Sequence, residues 1–348
     1  MKYSLSRRRF IASASATPSP TLAIALTTAL VAGLLTTTTT QAAETLRLGH
    51  YFPAEDFRGR TTQYLADQLD PTLLEIDVFP SESLVKGRDG LMGTARGTVD
   101  LYSLFGGYVV GTVGMMKIFT VPFPPDSLDD ADVLAFANDP RVLEPLGEAF
   151  AASQVKLLGF INSSGQTTLF LAESIDGLDQ LEGRKIRGVG GYTDPALEDL
   201  GATVVFMSAA EQFLQLQTGG VDGVITTDSS YVNLGLSEVA PVVLASSMVR
   251  TPYPLIMNLR KYNGLSQDAR DELHRAVEAT IEWSSANFTE ESERLRQAVD
   301  EQAETVYTFS EEDLALADSL RDKYLSAYIE EFGESAGALV EVYRSYLQ

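Results

Sequence analysis

The chain has 348 residues, of which 45% are apolar, and it carries a formal net charge of −22. So acidic a surface repels phosphate backbones, which argues against nucleic acid as a partner. Cysteine is absent, which excludes disulfides, thiolate catalysis and cysteine-bound metals. The two histidines, His50 and His274, lie far apart and no nucleophile motif occurs, so we predict no catalytic residue, no cofactor and no metal.

The first 43 residues are typical of an export signal. Four basic residues fall within the first nine positions, an apolar segment follows at 22–35, and small residues close the region at Ala42 and Ala43. The string SRRRFI at 6–11 fits a twin-arginine signal, with a general secretory signal as the alternative. We expect cleavage near Ala42 and Ala43 and a periplasmic mature protein. Its net charge would be −26, because 22 basic residues then face 48 acidic ones.

Removing 43 of the 348 residues leaves 305, more than one hydrophobic core usually serves, which predicts two lobes. The first lobe opens with alternating strands and helices. Periodicity predicts strands at 45–50, 74–79 and 100–104 and helices at 60–69 and 88–96. This alternation is typical of a largely parallel sheet covered by helices on both faces.

A polar turn at 162–165 separates two apolar runs, and we place a lobe boundary there. The pattern beyond it predicts strands at 185–189, 203–207, 221–226 and 254–258 and helices at 195–200 and 209–217. The strand at 254–258 would lead back to the first lobe. Ser208 and Glu211 form a capping box that marks a helix start.

Helices dominate the C-terminal region. Apolar positions recur at helical spacing from 267 to past 303 without glycine or proline, which predicts one long helix. Ser310 opens a further helix with Asp313 at its third position, and an amphipathic piece spans 335–347.

Two segments carry a family resemblance: LEGRKIRGVGG at 181–191 and LGATVVFMSAAEQFLQLQTGGVDG at 200–223. They resemble the solute-binding subunits of TRAP (tripartite ATP-independent periplasmic) transporters, DctP-type. Further matches are LRLGH at 46–50, VFP at 78–80, GTVD at 97–100, VPF at 121–123, SEV at 237–239 and TPYPLIMN at 251–258. The resemblance covers about residues 45–300.

The resemblance implies an α/β periplasmic binding protein fold with two discontinuous lobes, crossing strands and a long C-terminal helix backing both lobes. Lobe I would comprise 44–163 plus 252–291, and lobe II 164–251 plus 292–348. A small-molecule ligand would lie in the cleft between them. The expected partners are that ligand and the membrane subunits of a TRAP transporter, and we expect a monomer.

Arg187 matches the family arginine that pairs with a ligand carboxylate, a role suited to its planar fork of donors. Gln166 stands where many members carry a second arginine, which argues against a dianionic ligand. Ala209 replaces a bulky aromatic residue that commonly packs on the ligand. Thr226 replaces an asparagine that bonds it. A monocarboxylate, a zwitterion or an amine therefore remain open as ligands.

The remaining candidates come from loops expected to face the cleft. Aromatic walls add buried area and hydroxyls orient polar ligands, which favours Phe105, Tyr108, Tyr192 and Tyr231. Arg250 is a candidate for the charge missing at Gln166. Two acidic residues, Asp194 and Asp228, are candidates for an ammonium group, with solvated turns as the alternative.

The function predicted from the sequence is capture of a small organic acid or zwitterion for delivery to a TRAP-type transporter, without catalysis. One alternative is a cofactor-poor periplasmic enzyme exported by the twin-arginine route, for which the sequence offers no catalytic cluster. Another is a co-receptor that presents its ligand to a sensor. An amine or an osmolyte is the alternative ligand.

Overall fold

The structure is a computed structural model that describes residues 44–347. The predicted export signal and its cleavage site lie outside these residues. Among the described residues, none of the helices is both long enough and apolar enough to cross a membrane.

Eleven strands and eleven α-helices make up the described chain. The strands are β1 Glu44–His50, β2 Leu74–Phe79, β3 Leu101–Ser103, β4 Val155–Ile161, β5 Thr167–Leu171, β6 Lys185–Arg187, β7 Thr203–Val205, β8 Gly223–Thr227, β9 Val242–Leu244, β10 Tyr253–Asn258 and β11 Thr305–Tyr307. The helices are α1 Phe57–Asp67, α2 Gly90–Arg96, α3 Asp130–Asn138, α4 Pro140–Ala152, α5 Thr193–Asp199, α6 Gln212–Gln217, α7 Asp228–Asn233, α8 Leu259–Gly264, α9 Gln267–Gln302, α10 Glu311–Phe332 and α11 Glu334–Ser345. Short 3₁₀ turns include Gly87–Asp89, Gly106–Tyr108 and Ala209–Glu211.

The strands form two sheets, as the two-lobed prediction requires. The first sheet has the order β2-β1-β3-β10-β4, and the second has the order β11-β9-β5-β8-β6-β7. Strands β5 to β9 lie in the second sheet, but β10, which follows them in the chain, lies in the first. This confirms that the strand predicted at 254–258 returns to the first lobe.

The prediction of a largely parallel sheet is wrong, because both sheets are mixed. Strand β1 runs parallel to β2 and β3, but β10 runs antiparallel to β3 and β4. Strand β5 likewise runs antiparallel to β8 and β9. The reason is the crossing connection: β4 leaves the first sheet toward the second and β10 returns, so these neighbours run in opposite directions.

Helix α9 packs on both halves of the molecule, as predicted. Ser266 caps its start by accepting a hydrogen bond from the amide of Ala269. Leu273 and Val277 join the core of the first sheet, whereas Val299, more than five turns later, joins the core of the second. Burying one helix against both cores couples the two sheets.

The C-terminal helices pack on both halves. The predicted capping box at Ser310 and Asp313 is present and starts α10. Helix α11 packs against α4, and its Tyr343 ring lies 5.6 Å from the ring of Phe136 in α3. This helix, assigned to lobe II from the sequence, therefore contacts helices of the predicted lobe I. The stated lobe boundaries stay a prediction.

Candidate functional site

Two adjoining cavities lie between residues of the first sheet's segment and residues of the second. The larger has a volume of about 330 Å³ and the smaller about 20 Å³. Four residues line both: Tyr51, Tyr108, Ala209 and Ser230. Because the smaller cavity adjoins the larger at these residues, we treat the two as one site with a narrow end and a wide end.

Arg187 lies in the wall of the narrow end, at the last position of β6, and only 3% of it is exposed. Its Nε donates to the carbonyl oxygen of Met207 at 3.4 Å, and its Nη1 donates to that of Ile225. Within residues 44–347 no carboxylate forms an ion pair with it. A buried guanidinium bonded only to carbonyl oxygens has no negative partner from the protein, which favours an anion in the cavity.

Aromatic rings form the walls beside Arg187. The ring of Tyr108 lies 5.4 Å from that of Phe105 and 5.9 Å from that of Tyr51, and Phe105 lies 5.9 Å from Tyr253. Burial raises the pKa of Tyr108, so its hydroxyl stays protonated and available as a donor. The walls thus combine apolar faces with hydroxyl groups, as ligand pockets commonly do.

Four of the eight predicted ligand residues line the narrow end: Arg187, Thr226, Phe105 and Tyr108. Ala209, the predicted departure from the family's aromatic residue, lines both ends. The other four, Gln166, Tyr192, Tyr231 and Arg250, line neither end in the described chain, and the following paragraphs give their surroundings.

Gln166 lies beside α9, where it borders an open groove with Arg296 and Asp300. Its backbone N–H donates to Asp228 Oδ2 at 3.0 Å. The next residue, Thr167, is the one that lines the narrow cavity. Neighbouring residues of an extended segment point to opposite sides, so a shift of one residue separates these two surroundings.

Tyr231 and Tyr192 are held in the protein interior, away from the cavity. The ring of Tyr231 stacks on Phe170 at 4.2 Å, its hydroxyl donates to the carbonyl oxygen of Ala240, and burial raises its pKa to about 12. Tyr192 points toward the C-terminal helices, where its hydroxyl donates to Glu331 at 2.6 Å. In both cases a core or helix contact satisfies the hydroxyl that the sequence assigned to a ligand.

Arg250 is neutralised inside the protein. Its Nη1 donates to Asp130 Oδ1 at 3.0 Å, and both side chains border a separate cavity of about 10 Å³, the size of a single water. Burial raises the pKa of Asp130, and Arg250 opposes that rise. An arginine already paired in this way does not replace a missing charge at the ligand site.

The two candidate acids have structural partners. Asp194 accepts the amides of Val189 and Gly190, both at 2.9 Å, and so holds the turn after β6. Asp228 is fully buried, and burial raises its pKa to about 7. Its carboxylate accepts from the backbone N–H of Gln166, in the connection between the two sheets. Asp228 does not line the cavity.

A buried ion pair at the wide end is absent from the sequence-based candidates. Arg58 donates through Nε and Nη2 to both oxygens of Asp56, at 2.7 and 2.9 Å. Burial would raise the pKa of Asp56, but the charge and hydrogen bonds of Arg58 hold it below its usual value. Asp56 caps α1 by accepting from the backbone N–H of Arg58. An acid at a helix start, followed by an arginine two positions later, was the signal in the sequence that could have indicated this ion pair.

The two halves meet around the cavity. Ser229 of α7 donates to Asp56 across the gap, and the Arg88 guanidinium lies 4.3 Å from the ring centre of Phe206. A Cβ atom on Gly107 would lie 2.2 Å from the carbonyl oxygen of Val189, so these backbones touch. The structure therefore has a closed cleft.

His50, at the end of β1, is neutral. Burial lowers its pKa to about 4, and its Nδ1 contacts the carbonyl oxygen of Phe52 at 2.9 Å. The ring stacks on Phe52 at 4.1 Å. Among residues 44–347 no cluster of three metal-binding side chains occurs.

Comparison with known proteins agrees with this two-sheet architecture. Residues 48–331 match the family model of the bacterial extracellular solute-binding proteins, family 7, known as DctP. The chain belongs to this family. Membership confirms the family predicted from the segments at 181–191 and 200–223, and the family is one of binding proteins.

Relatives of this family 7 protein include the ectoine-binding periplasmic protein TeaA of Halomonas elongata, which is 24% identical over 85% of both chains. Among solved structures, a marine metagenome TRAP solute-binding protein in complex with pyroglutamate has a TM-score of 0.80 at 19% identity. It covers 87% of this chain and 99% of its own. The structure of TeaA itself has a TM-score of 0.79 at 20% identity and covers 87% of this chain and 99% of its own. A Bordetella pertussis receptor that binds pyroglutamic acid has a TM-score of 0.78 at 14% identity, over 87% of this chain and 100% of its own. These likenesses confirm the two-lobed fold.

Proposed function

We propose that this protein is the extracytoplasmic receptor of a TRAP transporter and that it binds a small carboxylate-bearing solute in its closed cleft. The observation that carries the proposal is Arg187, a buried guanidinium facing the narrow cavity with only neutral protein partners. A ligand carboxylate would supply the missing negative charge with two parallel hydrogen bonds.

The dimensions of the site favour one acidic group at the narrow end. A volume of about 20 Å³ accommodates a group of carboxylate size, while the body of the ligand would occupy the wide end of about 330 Å³. Phe105 and Tyr108 would pack on the ligand, and Thr226 would bond it. Related TRAP proteins have been solved with bound L-malate and malonate, which supports an acidic ligand here.

The cellular setting follows from the family and from the N-terminal sequence. We propose export by the twin-arginine route, cleavage near Ala42 and Ala43, and action as a periplasmic monomer. After closing on its ligand, the receptor would dock on the membrane subunits of the transporter, since closure gives those subunits a surface that the open form lacks.

A thermal-shift screen of organic acids and polar osmolytes tests this function. A ligand at a hundred times its dissociation constant stabilises the folded protein by about 2.7 kcal/mol, so a matching acid raises the melting temperature. Arg187→Ala should weaken acid binding by about 2–5 kcal/mol, because it removes one partner of a buried charged pair. The control is Arg184→Ala on the same lobe, whose exposed side chain bonds only backbone carbonyls. Equal acid affinity in Arg187→Ala and wild type would refute the proposal.

A further inference from the structure

Two tyrosines beside Arg187 form a bonded pair that the function above does not use. The hydroxyl oxygens of Tyr51 and Tyr253 lie 2.8 Å apart, although the residues are 202 positions apart in sequence. Both side chains line the narrow cavity together with Arg187. Tyr51 comes from the turn after β1 and Tyr253 from the start of β10, so the fold of the first sheet creates the pair.

A buried cation anchors one end of this pair. Arg58 Nη1 donates to the hydroxyl oxygen of Tyr253 at 2.6 Å. The guanidinium is fixed by its two bonds to Asp56 and lies 5.0 Å from the ring centre of Tyr253 and 4.8 Å from that of Phe52. Arg58 carries no proton acceptor, so at this contact the tyrosine must accept.

Counting protons shows that the pair has one hydroxyl proton left to donate. Two hydroxyls have two protons, and the bond between them uses one. Arg58 donates to a lone pair of the Tyr253 hydroxyl and cannot accept a hydroxyl proton. Within residues 44–347 neither hydroxyl has a further acceptor, so one proton remains to be donated. Both tyrosines line the narrow cavity, so an acceptor for this proton would lie there.

We propose that the Tyr51 and Tyr253 pair donates this proton to the acidic group of the ligand, opposite or beside the bonds from Arg187. The inference rests on the proposed function and assigns a second donor to the ligand's carboxylate. Two kinds of donor line a cavity of about 20 Å³, and a carboxylate can accept from both, because its two oxygens carry about four acceptor sites. An ammonium group at this end would face Arg187 and leave the hydroxyl proton unpaired.

Arg58 also strengthens the donor. A hydroxyl that accepts from a cation becomes a better donor to its next partner, because bonds in a chain polarise one another. Burial raises the pKa of Tyr51 well above its usual value, so Tyr51 keeps its proton over the working pH range. Asp56 and Arg58 thereby act on the carboxylate as positioning residues through Tyr253.

The test is a double-mutant cycle with Tyr51→Phe, Tyr253→Phe and the double variant, titrated by calorimetry with acetate, malonate, L-malate and L-pyroglutamate. Each single variant retains one hydroxyl proton for the ligand. The double variant retains none, so it should lose roughly ten- to hundredfold in affinity for the acids that bind, more than the two single losses combined. Tyr262→Phe is the control, since its hydroxyl contacts His274 at 2.7 Å outside the site.

The outcomes separate this inference from the function beneath it. Undiminished acid affinity in the double variant, with affinity lost in Arg187→Ala, would overturn the hydroxyl pair as a donor and leave the function intact. Single losses that add up to the double loss would also overturn it, since they indicate that each hydroxyl acts independently and that the two do not share one donated proton. Failure of all four acids to bind the wild-type protein would contradict the proposed acid-binding function, and with it this inference.

Discussion

Arg187 and Arg58 are both buried, but only Arg58 is paired with a carboxylate of the protein. Arg58 meets a carboxylate of its own chain, so its charge is balanced before any ligand arrives. Arg187 meets only carbonyl oxygens. Burying an unbalanced charge costs several kcal/mol, and a protein retains such a cost where a ligand repays it. This contrast is why the structure supports Arg187, and not Arg58, as the anchor for an anion.

Asp228 is a residue whose charge should be visible in the pH dependence of stability. Burial raises its pKa to about 7, the charge of Arg296 opposes the rise, and Asp130 and Asp300 add to it. An unfolded chain loses this proton near pH ~4. The stability due to the protonated side chain is therefore fully present below about pH 4 and is lost as the pH rises to about 7.

Asp228→Asn removes that titration and keeps a side-chain oxygen that can accept from the backbone N–H of Gln166. The free energy of unfolding of the variant, minus that of the wild type, should rise by up to about 1.4 kcal/mol per pH unit between about pH 4 and 7. Urea unfolding at several pH values measures the difference. The exposed Asp126→Asn is the control. A difference that does not vary with pH would show that Asp228 is ionised in the folded protein across this range.

At the scale of elements, periodicity identified most strands and helices but not their pairing. The alternation in β1 and β2 and the long apolar stripe of α9 come from burial of one face, which local sequence reports directly. Strand direction depends on which distant segments become neighbours. The antiparallel place of β10 between β3 and β4 therefore could not be read from the sequence.

The same limit explains the candidate site. Arg187 was found because its segment matches a family pattern at close spacing. Tyr51 and Tyr253 were missed because neither is notable until β1 and β10 bring them within hydrogen-bonding distance. Gln166 was named because it stands where many family members carry a second arginine, and that correspondence does not fix which side of the segment faces the cavity. One residue reverses that side, and Thr167 is the residue that lines the cavity.

The turn Gly106–Tyr108 contacts the loop after β6, and we expect this contact to control closure. A methyl group on Gly107 would lie 2.2 Å from the carbonyl oxygen of Val189 and 2.4 Å from the ring of Phe105. Gly107→Ala should therefore hold the cleft partly open and weaken acid binding at least about tenfold, since the closed form carries the ligand contacts. Gly111→Ala has nothing within 4 Å of its added carbon and is the matched control.

Calorimetric affinities for the acid selected in the thermal-shift screen give the measurement. Small-angle scattering with and without that acid then reports compaction of each protein. Compaction of Gly107→Ala equal to that of the wild type, at unchanged affinity, would refute a closing role for this contact.

At the scale of the whole molecule, the acidic surface and the cationic cavity act over different distances. The mature chain would carry a net charge of −26, which opposes the approach of an anion. Exposed charges are screened beyond about 8–10 Å at physiological ionic strength. Arg187 is buried in the wall of the narrow cavity, so its attraction acts mainly on a ligand already inside. Capture therefore depends on fit and closure more than on long-range attraction.

The account rests on a carboxylate bound at Arg187 inside the closed cleft. The most direct measurement is a crystal structure of the protein with the strongest acid from the screen. We predict density for its carboxylate about 2.7–2.9 Å from the Arg187 guanidinium, with a second contact to the hydroxyl of Tyr51 or Tyr253. An ordered ligand that presents no acidic group to Arg187, or that binds outside the two adjoining cavities, would contradict the account.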